Sequence, residues 1–319
     1  MDIPALSRTD FTFPGQTGVY HGKVRDVYTI GEDTLVAVAT DRISAFDKVL
    51  PKPIPYKGQV LNQLAAHFLQ ETAEVAPNWL QAVPDPNASA GIKAVPVMVE
   101  VVVRGTLVGH AWREYQGGAR TLSGAPMPDG LKEYDAFPEP LITPTTKAEQ
   151  GHDEDISEKE ILAQGLVAAT DWQQIKDYAL KLFARGQEMA RARGLVLADT
   201  KYEFGILPDG HIIVIDEVHT PDSSRYFYAD GYDAYVGGGS NEKPKHLSKE
   251  FVREWLMERG FDGHGEPPTL DDDFIQKISE RYIELYEQMT GQPFQKPTET
   301  DPLARIKANV LHYVQGIAA

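Results

Sequence analysis

The sequence contains no cysteine among its 319 residues. A disulfide framework and a thiolate-ligated metal site are therefore both excluded. This composition is typical of a reducing compartment, and we expect the protein in the cytoplasm. The N-terminal residues MDIPALSRTD also lack the basic segment and the following apolar segment of a secretory signal.

Long apolar runs and an excess of basic residues are missing as well. No run approaches the roughly 18 apolar residues that a membrane span needs, and the longest, 95–103, is interrupted by Pro96 and Glu100. The formal net charge of −16 repels nucleic acid and anionic membranes, so we expect neither as a partner. A protein this acidic that handles anions must concentrate lysine and arginine locally.

What is present is ordinary for a globular protein. Hydrophobic residues make up 42% of the chain and charged residues 24%, which is close to the usual composition. The length is sufficient for a sizeable core and predicts two or three lobes.

The stretch 195–225 predicts a β-hairpin with the turn Pro208-Asp209-Gly210. If Asp209-Gly210 is a two-residue turn, residues that face each other have numbers summing to about 419. Glu203 then lies opposite Asp216, with Lys201 two residues away on the same face.

Like charges directly opposite on a sheet are unfavourable. A hard divalent cation between Glu203 and Asp216 would reverse this, because Mg²⁺ binds one or two carboxylates together with substrate phosphates. Two alternatives remain open at this point. A three-residue turn would pair Glu203 with Ile215 and offset the carboxylates, and a solvated hairpin would simply carry its acids on the exposed side.

Residues 18–40 predict antiparallel strands, 18–30 and 34–40, around a turn at 31–33. In the first strand Lys23 and Arg25 share one face. Two cations after a glycine are typical of a loop that covers phosphate, although an exposed basic edge strand has the same pattern. The following DRISAFD segment, 41–47, ends an apolar strand, where loops often carry function.

Residues 95–104 predict a buried strand, because the apolar run hardly alternates. Glu100 within it must be paired, protonated or hydrogen-bonded. Arg104 at the end of this strand, followed by a glycine, suggests an anion site; the alternative is that it pairs with an acid such as Glu100.

The remaining segments indicate packing rather than chemistry. Ser157 to Glu160 is a capping box, Asp171 predicts the cap of a long helix that stops at Gly194, and His152 is more typical of a solvated side chain than of a metal ligand. Loops are expected at 77–91, 116–146 and 231–246, a helix after 56–58, and three closing helices at 249–259, 272–290 and 302–315.

Eight basic residues lie in motifs next to loops or at strand ends, whereas the predicted packing helices carry their own lysines and arginines among acids. The eight are Lys23, Arg25, Arg42, Lys57, Arg104, Lys147, Lys201 and Arg225. With a carboxylate pair for Mg²⁺, this pattern favours a nucleotide enzyme with a second phosphorylated substrate. The Walker, Rossmann and protein-kinase motifs are absent, so the nucleotide site must be of another kind.

At this point a series of motifs resembles a known family. In order they are GKVRDVY (22–28), DRISAFD (41–47), VEVVVRG (99–105), Lys147 with His152-Asp153, TKYEFG (200–205), IDEV (215–218) and PDSSR (221–225). Together they resemble the SAICAR synthetase family, in its form of roughly 300 residues with a C-terminal helical extension.

The resemblance implies an α+β fold of two lobes related to ATP-grasp enzymes and kinases, with antiparallel sheets and helices. It implies an N-terminal lobe at 1–98 that covers the ATP phosphates, a central lobe at 99–225 with the metal and substrate sites, and a helical extension at 226–319. The implied reaction is ATP-dependent ligation of carboxyaminoimidazole ribonucleotide (CAIR) to L-aspartate, with Mg²⁺ and an acyl phosphate intermediate. A monomer is favoured over a dimer.

The family's site residues carry over onto matching positions. For ATP they are Lys23, Val24, Arg25, Val97, Met98 and Lys147, with Val97 and Met98 as the adenine hinge. For CAIR and aspartate they are Asp41, Arg42, Ser44, Glu100, Arg104, His110 and Arg225, with Arg104 and Arg225 on the CAIR phosphate and Glu100 on its imidazole. For catalysis they are Lys201, Asp153, Glu203 and Asp216, with Glu203 and Asp216 as Mg²⁺ ligands.

One position departs from the family. His110 stands where the family usually has serine; a histidine can still donate to phosphate, and binding there would then depend on pH. The alternatives to a ligase are a small-molecule kinase of the inositol-phosphate type on a related fold, which would need a hydroxyl acceptor, and a non-catalytic nucleotide-binding protein, which would tolerate loss of Lys201, Glu203 or Asp216.

Overall fold

The structure is a computed structural model that describes residues 5–147, 153–299 and 301–317. His152 lies outside the described residues. Two compact units are present: the first comprises described residues within 1–70, 79–93 and 248–319, and the second those within 71–78 and 94–247. The segment expected as one helical extension is thus divided, with 226–247 in the second unit and 248–319 in the first.

The described residues form an α+β fold. The strands are β1 (Gln16–His21), β2 (Arg25–Ile30), β3 (Thr34–Ala39), β4 (Ser44–Ala45), β5 (Lys48–Val49), β6 (Leu80–Asp85), β7 (Ala88–Ile92), β8 (Val95–Pro96), β9 (Val99–Thr106), β10 (Thr121–Leu122), β11 (Ala125–Pro126), β12 (Ala136–Ile142), β13 (Thr145–Thr146), β14 (Leu195–Ile206), β15 (Ile212–Ile215) and β16 (Ser224–Tyr228). The helices are α1 (Lys57–Glu71), α2 (Gly109–Gln116), α3 (Glu158–Ala163), α4 (Ala169–Ala192), α5 (Ala229–Val236), α6 (Glu250–Met257), α7 (Asp272–Thr290) and α8 (Pro302–Ile317).

The first unit is built on an antiparallel sheet in the order β1-β2-β3-β7-β6. Tyr28 of β2 is fully buried and shares a core cluster with Ile306, Val310 and Val314 of α8. The spacing of four residues puts these three side chains on one face of the helix. Burying each such side chain stabilises the unit by about 1.5–3 kcal/mol, which fastens α8 to the sheet.

Two expectations for this unit are wrong. Residues 18–30 are not one strand: His21 pairs with Asp26, and the N–H of Gly22 donates to the carbonyl of Arg25 at 2.8 Å. Lys23 therefore lies at a hairpin tip and does not share a strand face with Arg25. The expected loop at 77–91 contains β6 and most of β7, whose prolines and small residues hide the strand pattern.

In the second unit β14 is the central strand. It pairs with β9, β15, β16 and β8, all antiparallel, and β12 and β13 extend the sheet from β9. Helix α4 buries Ile175, Ala179, Leu182 and Phe183, the apolar stripe that the 3.6-residue period predicts.

The hairpin of β14 and β15 has the three-residue turn, and the two-residue register is wrong. Glu203 pairs with Ile215, not with Asp216. The Leu207 N–H donates to the His211 carbonyl at 2.9 Å, and Gly210 has φ +88°. A type I turn followed by a left-handed residue is the usual three-residue hairpin loop, and glycine adopts that conformation without strain.

Most helix predictions are confirmed. Ser157 and Glu160 form the capping box, Gly194 ends α4 with φ +71°, and α6, α7 and α8 match the three closing helices. Asp171 is not the cap of α4, which begins at Ala169; it lies in the first turn, where a carboxylate favours the helix dipole. Helix α5 overlaps the segment 231–246, which was expected to be a loop.

One other expectation for the second unit is wrong. The segment 116–146, expected to be irregular, carries β10 to β13. Among the described residues, none of the helices has the length and apolarity to cross a membrane.

Candidate active site

Strand β14 carries alternate charged residues on one face. Asp199, Lys201 and Glu203 are two residues apart, so their side chains point the same way. Lys201 Nζ lies 2.7 Å from Glu203 Oε1 and 2.6 Å from Glu100 Oε1 of the neighbouring strand β9. Lys147 Nζ contacts the other oxygen of Glu203. Two ammonium groups thus converge on one carboxylate.

The two carboxylates of this cluster are largely buried and the two lysines are partly buried, which strengthens the electrostatic interactions among them. Burial alone would raise the pKa of Glu203, but Lys201 and Lys147 outweigh it and hold the pKa well below its usual range. For Glu100, burial dominates over the attraction of Lys201, and the pKa rises to about 7. Burial would lower the pKa of Lys201, yet Glu203 and Glu100 raise it well above its usual value. Both lysines therefore stay charged at neutral pH.

Asp216 joins the cluster although it is not opposite Glu203. Strand β15 ends at Ile215, and Asp216 has φ +62°, a left-handed conformation that aspartate tolerates better than most residues. The side-chain alternation of the strand therefore stops before Asp216. Its carboxylate is near enough to help raise the pKa values of Lys147 and Lys201.

The donor set suits a hard cation that also binds phosphate. Among the described ranges no group of three or more histidines and acids could enclose a metal ion, so an all-protein cage is not present there. Glu203 and Asp216 instead offer two carboxylates beside Lys147 and Lys201. Mg²⁺ typically uses one or two carboxylates and completes its shell with water and substrate phosphates, so these residues fit it.

A second cationic cluster flanks the same strand. Arg104 of β9 and Arg225 of β16 are both register partners of Asp199 of β14. Arg104 Nη1 lies 2.9 Å from Asp199 Oδ2, and Arg225 Nη1 contacts the same oxygen. All three are largely buried, with side chains 6%, 13% and 6% exposed respectively. Together these two guanidinium groups and one carboxylate carry a net positive charge, which favours binding of an anion beside them.

Sequence reasoning missed Asp199, although the alternation of β14 points to it. The other surroundings of the two arginines come from the residue after β12, from the start of α2 and from the segment before α3. Arg104 Nε donates to Thr143 Oγ1 at 2.8 Å. Gly109, with φ +56°, begins α2 where a Cβ would collide with the Arg225 guanidinium. His110 Nε2 lies 2.9 Å from Asp155 Oδ2, so this histidine already has a carboxylate partner.

Three other predicted residues lie near these clusters in the second unit. Val97 N donates to the Phe204 carbonyl at 2.8 Å, and the Met98 carbonyl accepts from Lys147 N at 3.2 Å. The expected hinge strand is thus tied to β14 and to the backbone of Lys147. Asp153 is near enough to Glu100 to contribute to the rise of its pKa.

The remaining predicted residues belong to the first unit and form a set of their own. Lys23 is ion-paired with Asp47, and the carbonyl of Val24 accepts from Thr40 N at 2.9 Å. Arg25 begins β2, and Ser44 begins β4.

The DRISAFD segment provides the two other predicted residues of the first unit. Asp41 accepts from the N–H groups of Leu6 and Gly58 at 2.7 and 2.8 Å, and burial raises its pKa to about 6. Arg42 Nη2 lies 2.8 Å from Asp26 Oδ1. Both side chains are therefore held by the first unit itself.

The fold and its site define a protein of the SAICAR-synthase class. The structure matches the SAICAR synthase from Saccharomyces cerevisiae complexed with SAICAR, with a TM-score of 0.78 and 32% identity, covering 92% of this chain and 100% of that one. A type-2 SAICAR synthetase in complex with ADP shares the fold at a TM-score of 0.67 and 24% identity, covering 88% of this chain and 100% of that one.

The sequence comparisons agree. The family model for SAICAR synthetase matches residues 18–268. The phosphoribosylaminoimidazole-succinocarboxamide synthase of Cytophaga hutchinsonii is 57% identical, covering 96% of this chain and 98% of that protein. Its counterpart in Bacteroides thetaiotaomicron is 55% identical, covering 98% and 99%. The chain belongs to the SAICAR synthetase family.

Proposed function

We propose that this chain joins CAIR to L-aspartate at the expense of ATP, giving SAICAR, ADP and phosphate. Family membership and relatives of that name over nearly the whole chain support this function. The observation in the structure that carries it is the convergence of Lys147 and Lys201 on the largely buried carboxylate of Glu203. Fixed charges of this kind suit a reaction in which a phosphoryl group is transferred.

The two lysines have the properties that phosphoryl transfer requires. Glu203 secures the charge of both lysines, and Glu100 also supports that of Lys201. Lys201 lies in β14, and Lys147 directly follows β13, where its N–H donates to the Met98 carbonyl. Preorganised cations in a site of low dielectric stabilise charge that develops on the transferring group and its leaving oxygen. We therefore assign Lys201 to the transferred phosphoryl group and Lys147 to the nucleotide phosphates.

We further propose that Glu203 and Asp216 hold Mg²⁺, with Asp153 nearby. When bound, the ion neutralises phosphate charge and aligns the triphosphate. Glu203 has a second task, because its two oxygens already orient Lys147 and Lys201. Substitution of Glu203 should therefore disturb both the metal and the lysines.

The arginine cluster is assigned to the phosphate of CAIR. Arg104 and Arg225 present planar guanidinium groups that suit phosphate oxygens, and Asp199 holds both. His110 lies one residue after Gly109 at the start of α2 and adds a donor when it carries a proton. Glu100, whose pKa is raised to about 7, is assigned to the imidazole of CAIR.

The reaction then proceeds in two balanced steps. A carboxylate oxygen of CAIR attacks the γ-phosphorus of ATP, the bond to the bridging oxygen breaks, and ADP leaves with that electron pair. The amine of aspartate attacks the carbonyl carbon of the acyl phosphate, the carbon–oxygen bond to phosphate breaks, and the departing phosphate takes the amine proton. The protein supplies position and charge in both steps.

In the first unit Lys23, Val24 and Arg25 are assigned to the ATP phosphates, and Val97 and Met98 of the second unit to adenine. Asp41 and Ser44 are assigned to the CAIR and aspartate side of the reaction. These assignments follow the motifs that the chain shares with its family. Arg42 departs from the role that its motif implies, because its guanidinium already bonds four groups of the first unit.

The test is release of ADP by the purified protein with ATP, MgCl₂, CAIR and aspartate, with each component omitted in turn. A ligase requires all four for steady turnover and forms SAICAR in equal amount. Steady ADP release without aspartate and with a phosphorylated hydroxyl product would indicate a kinase instead. Binding of ATP with no turnover under any condition would indicate a non-catalytic protein.

A further inference from the structure

The tip of the β1–β2 hairpin, residues 22–24, is held by a side chain from the DRISAFD segment. We propose that Arg42 and its buried partner Asp26 are positioning residues that fix this tip. Since the tip carries Lys23, they would act on ATP binding without touching ATP. The effect on ATP rests on the proposed function, whereas the restraint of the tip does not.

Arg42 directs four N–H bonds towards the protein. Nη2 donates to the carbonyl of Gly22 at 2.9 Å and to Asp26 Oδ1 at 2.8 Å, and Nε donates to the carbonyl of Lys23 at 3.2 Å. Nη1 donates to the carbonyl of Ser7 at 2.5 Å. A guanidinium group has five N–H donors, so most of its capacity serves this local structure.

The next residue of the tip is held from the same side. The N–H and the hydroxyl of Thr40 both donate to the carbonyl of Val24 at 2.9 Å. Three consecutive carbonyls, those of Gly22, Lys23 and Val24, are therefore bound by residues 40–42. These hydrogen bonds connect the tip of the β1–β2 hairpin directly to the segment that carries Asp41.

Asp26 fixes the guanidinium in turn. Its side chain is completely buried, and its oxygens accept from the N–H and hydroxyl of Thr9 at 2.7 and 2.9 Å and contact His21 Nδ1 at 2.9 Å. A buried carboxylate with this many partners has one orientation. It also supplies the charge that a partly buried arginine needs.

This arrangement has a consequence for binding. A hairpin tip is ordinarily mobile, and ordering it on a ligand costs conformational entropy. Hydrogen bonds to three successive carbonyls order the tip in the free protein, so less conformational entropy is lost when ATP binds. We therefore expect loss of the guanidinium to weaken ATP binding more than CAIR or aspartate binding.

The experiment compares Arg42→Ala, Arg42→Lys and Asp26→Asn with the unaltered chain. Hydrogen–deuterium exchange without ligands should show amides of residues 20–25 exchanging about tenfold faster or more in Arg42→Ala, as expected for loss of several hydrogen bonds to a charged group.

In the same variant KM for ATP should rise about tenfold or more, and KM for CAIR and aspartate should change by less than about threefold. Arg42→Lys should be intermediate, because an ammonium can bond one or two of the carbonyls but lacks the planar fork. Asp26→Asn should also speed the exchange of residues 20–25 and raise KM for ATP, as Arg42→Ala does.

Arg8→Ala is the matched control. Arg8 is an exposed arginine of the same N-terminal segment, and its Nε lies 3.1 Å from a carboxylate oxygen of the exposed Asp10. Its loss should leave both the exchange of residues 20–25 and the KM for ATP unchanged.

Two results would overturn the proposal. Unchanged exchange of residues 20–25 with a raised KM for CAIR or aspartate would make Arg42 a direct substrate ligand. Faster exchange across the whole first unit with equal changes in every KM would make the pair merely structural. A third result separates the two proposals. If exchange in Arg42→Ala is faster only at the tip, but the unaltered chain does not form SAICAR, the restraint of the tip by Arg42 stands and the proposed function is rejected.

Discussion

Lys201 and Glu203, two residues apart on β14, form a partly buried ion pair with 2.7 Å between Nζ and Oε1. Glu203 also binds Lys147 through its other oxygen. One carboxylate thus holds two cations that face the proposed phosphoryl-transfer site, which makes it the most sensitive position of the cluster.

We predict that Glu203→Gln and Asp216→Asn each lower turnover by about 100-fold or more, the range found when a preorganised charge is removed from an active site. The fold should persist, because Glu100 still balances Lys201. Steady-state ADP release and circular dichroism measure the two effects. Asp209→Asn, an exposed acid at the turn of the same hairpin, should retain normal turnover. Near-normal activity of both site variants would contradict the assignment.

Arg225 should contribute to binding of CAIR rather than of ATP. Arg225→Ala removes one of the two guanidinium groups on Asp199, and we predict that KM for CAIR rises about tenfold to 100-fold, as expected for loss of a charge-assisted phosphate contact. KM for ATP should change far less. Initial rates with one substrate varied at a time provide the measurement. The control is Arg191→Ala, which removes an exposed arginine paired with Asp233 and should leave both KM values unchanged. If Arg225→Ala affects KM for CAIR and for ATP equally, the phosphate assignment is rejected.

Asp41 should make the first unit less stable as pH rises. Burial raises the pKa of Asp41 to about 6 from an ordinary 3.8, so the folded chain holds this proton more tightly than the unfolded chain. The free energy of unfolding therefore falls between about pH 4 and pH 6, by about 3 kcal/mol from this group, and is level above that range.

Asp41→Asn should remove this dependence. Urea denaturation from pH 4 to pH 8 measures it, and the exposed Glu32→Gln serves as the control. The difference between the unaltered chain and Asp41→Asn should decline as pH rises through this window. A difference that is constant with pH, or that grows, would show that the folded pKa of Asp41 is not raised.

The C-terminal helix should depend on one buried ion pair. Arg305 of α8 bonds both oxygens of Asp85 at 3.0 Å, and the Asp85 side chain is fully buried. Removing one partner of such a pair leaves an uncompensated charge, so Arg305→Met should lower the free energy of unfolding of the first unit by about 3–5 kcal/mol. The matched control is Lys52→Met, which breaks an exposed pair with Asp272 and should cost less than about 1 kcal/mol. Denaturant unfolding in which both variants lose the same amount would contradict the prediction.

The sequence by itself determined most of the helices and the residue types that are available for chemistry. The absence of cysteine, the ordered motifs, the capping box at Ser157, the stop at Gly194 and the three closing helices follow from local rules of composition, period and capping. The family and its reaction were expected from the resemblance that the ordered motifs carry, and the comparisons show the family.

The tertiary structure decided what depends on pairing between distant segments. It fixed the register that sets Glu203 against Ile215, the left-handed conformation that keeps Asp216 beside the lysines, and the sharing of Asp199 by Arg104 and Arg225. It also placed Arg42 on the carbonyls of the hairpin tip. Local patterns cannot specify these relations, because strand register and buried charge pairing are selected by the free energy of the whole packed sheet.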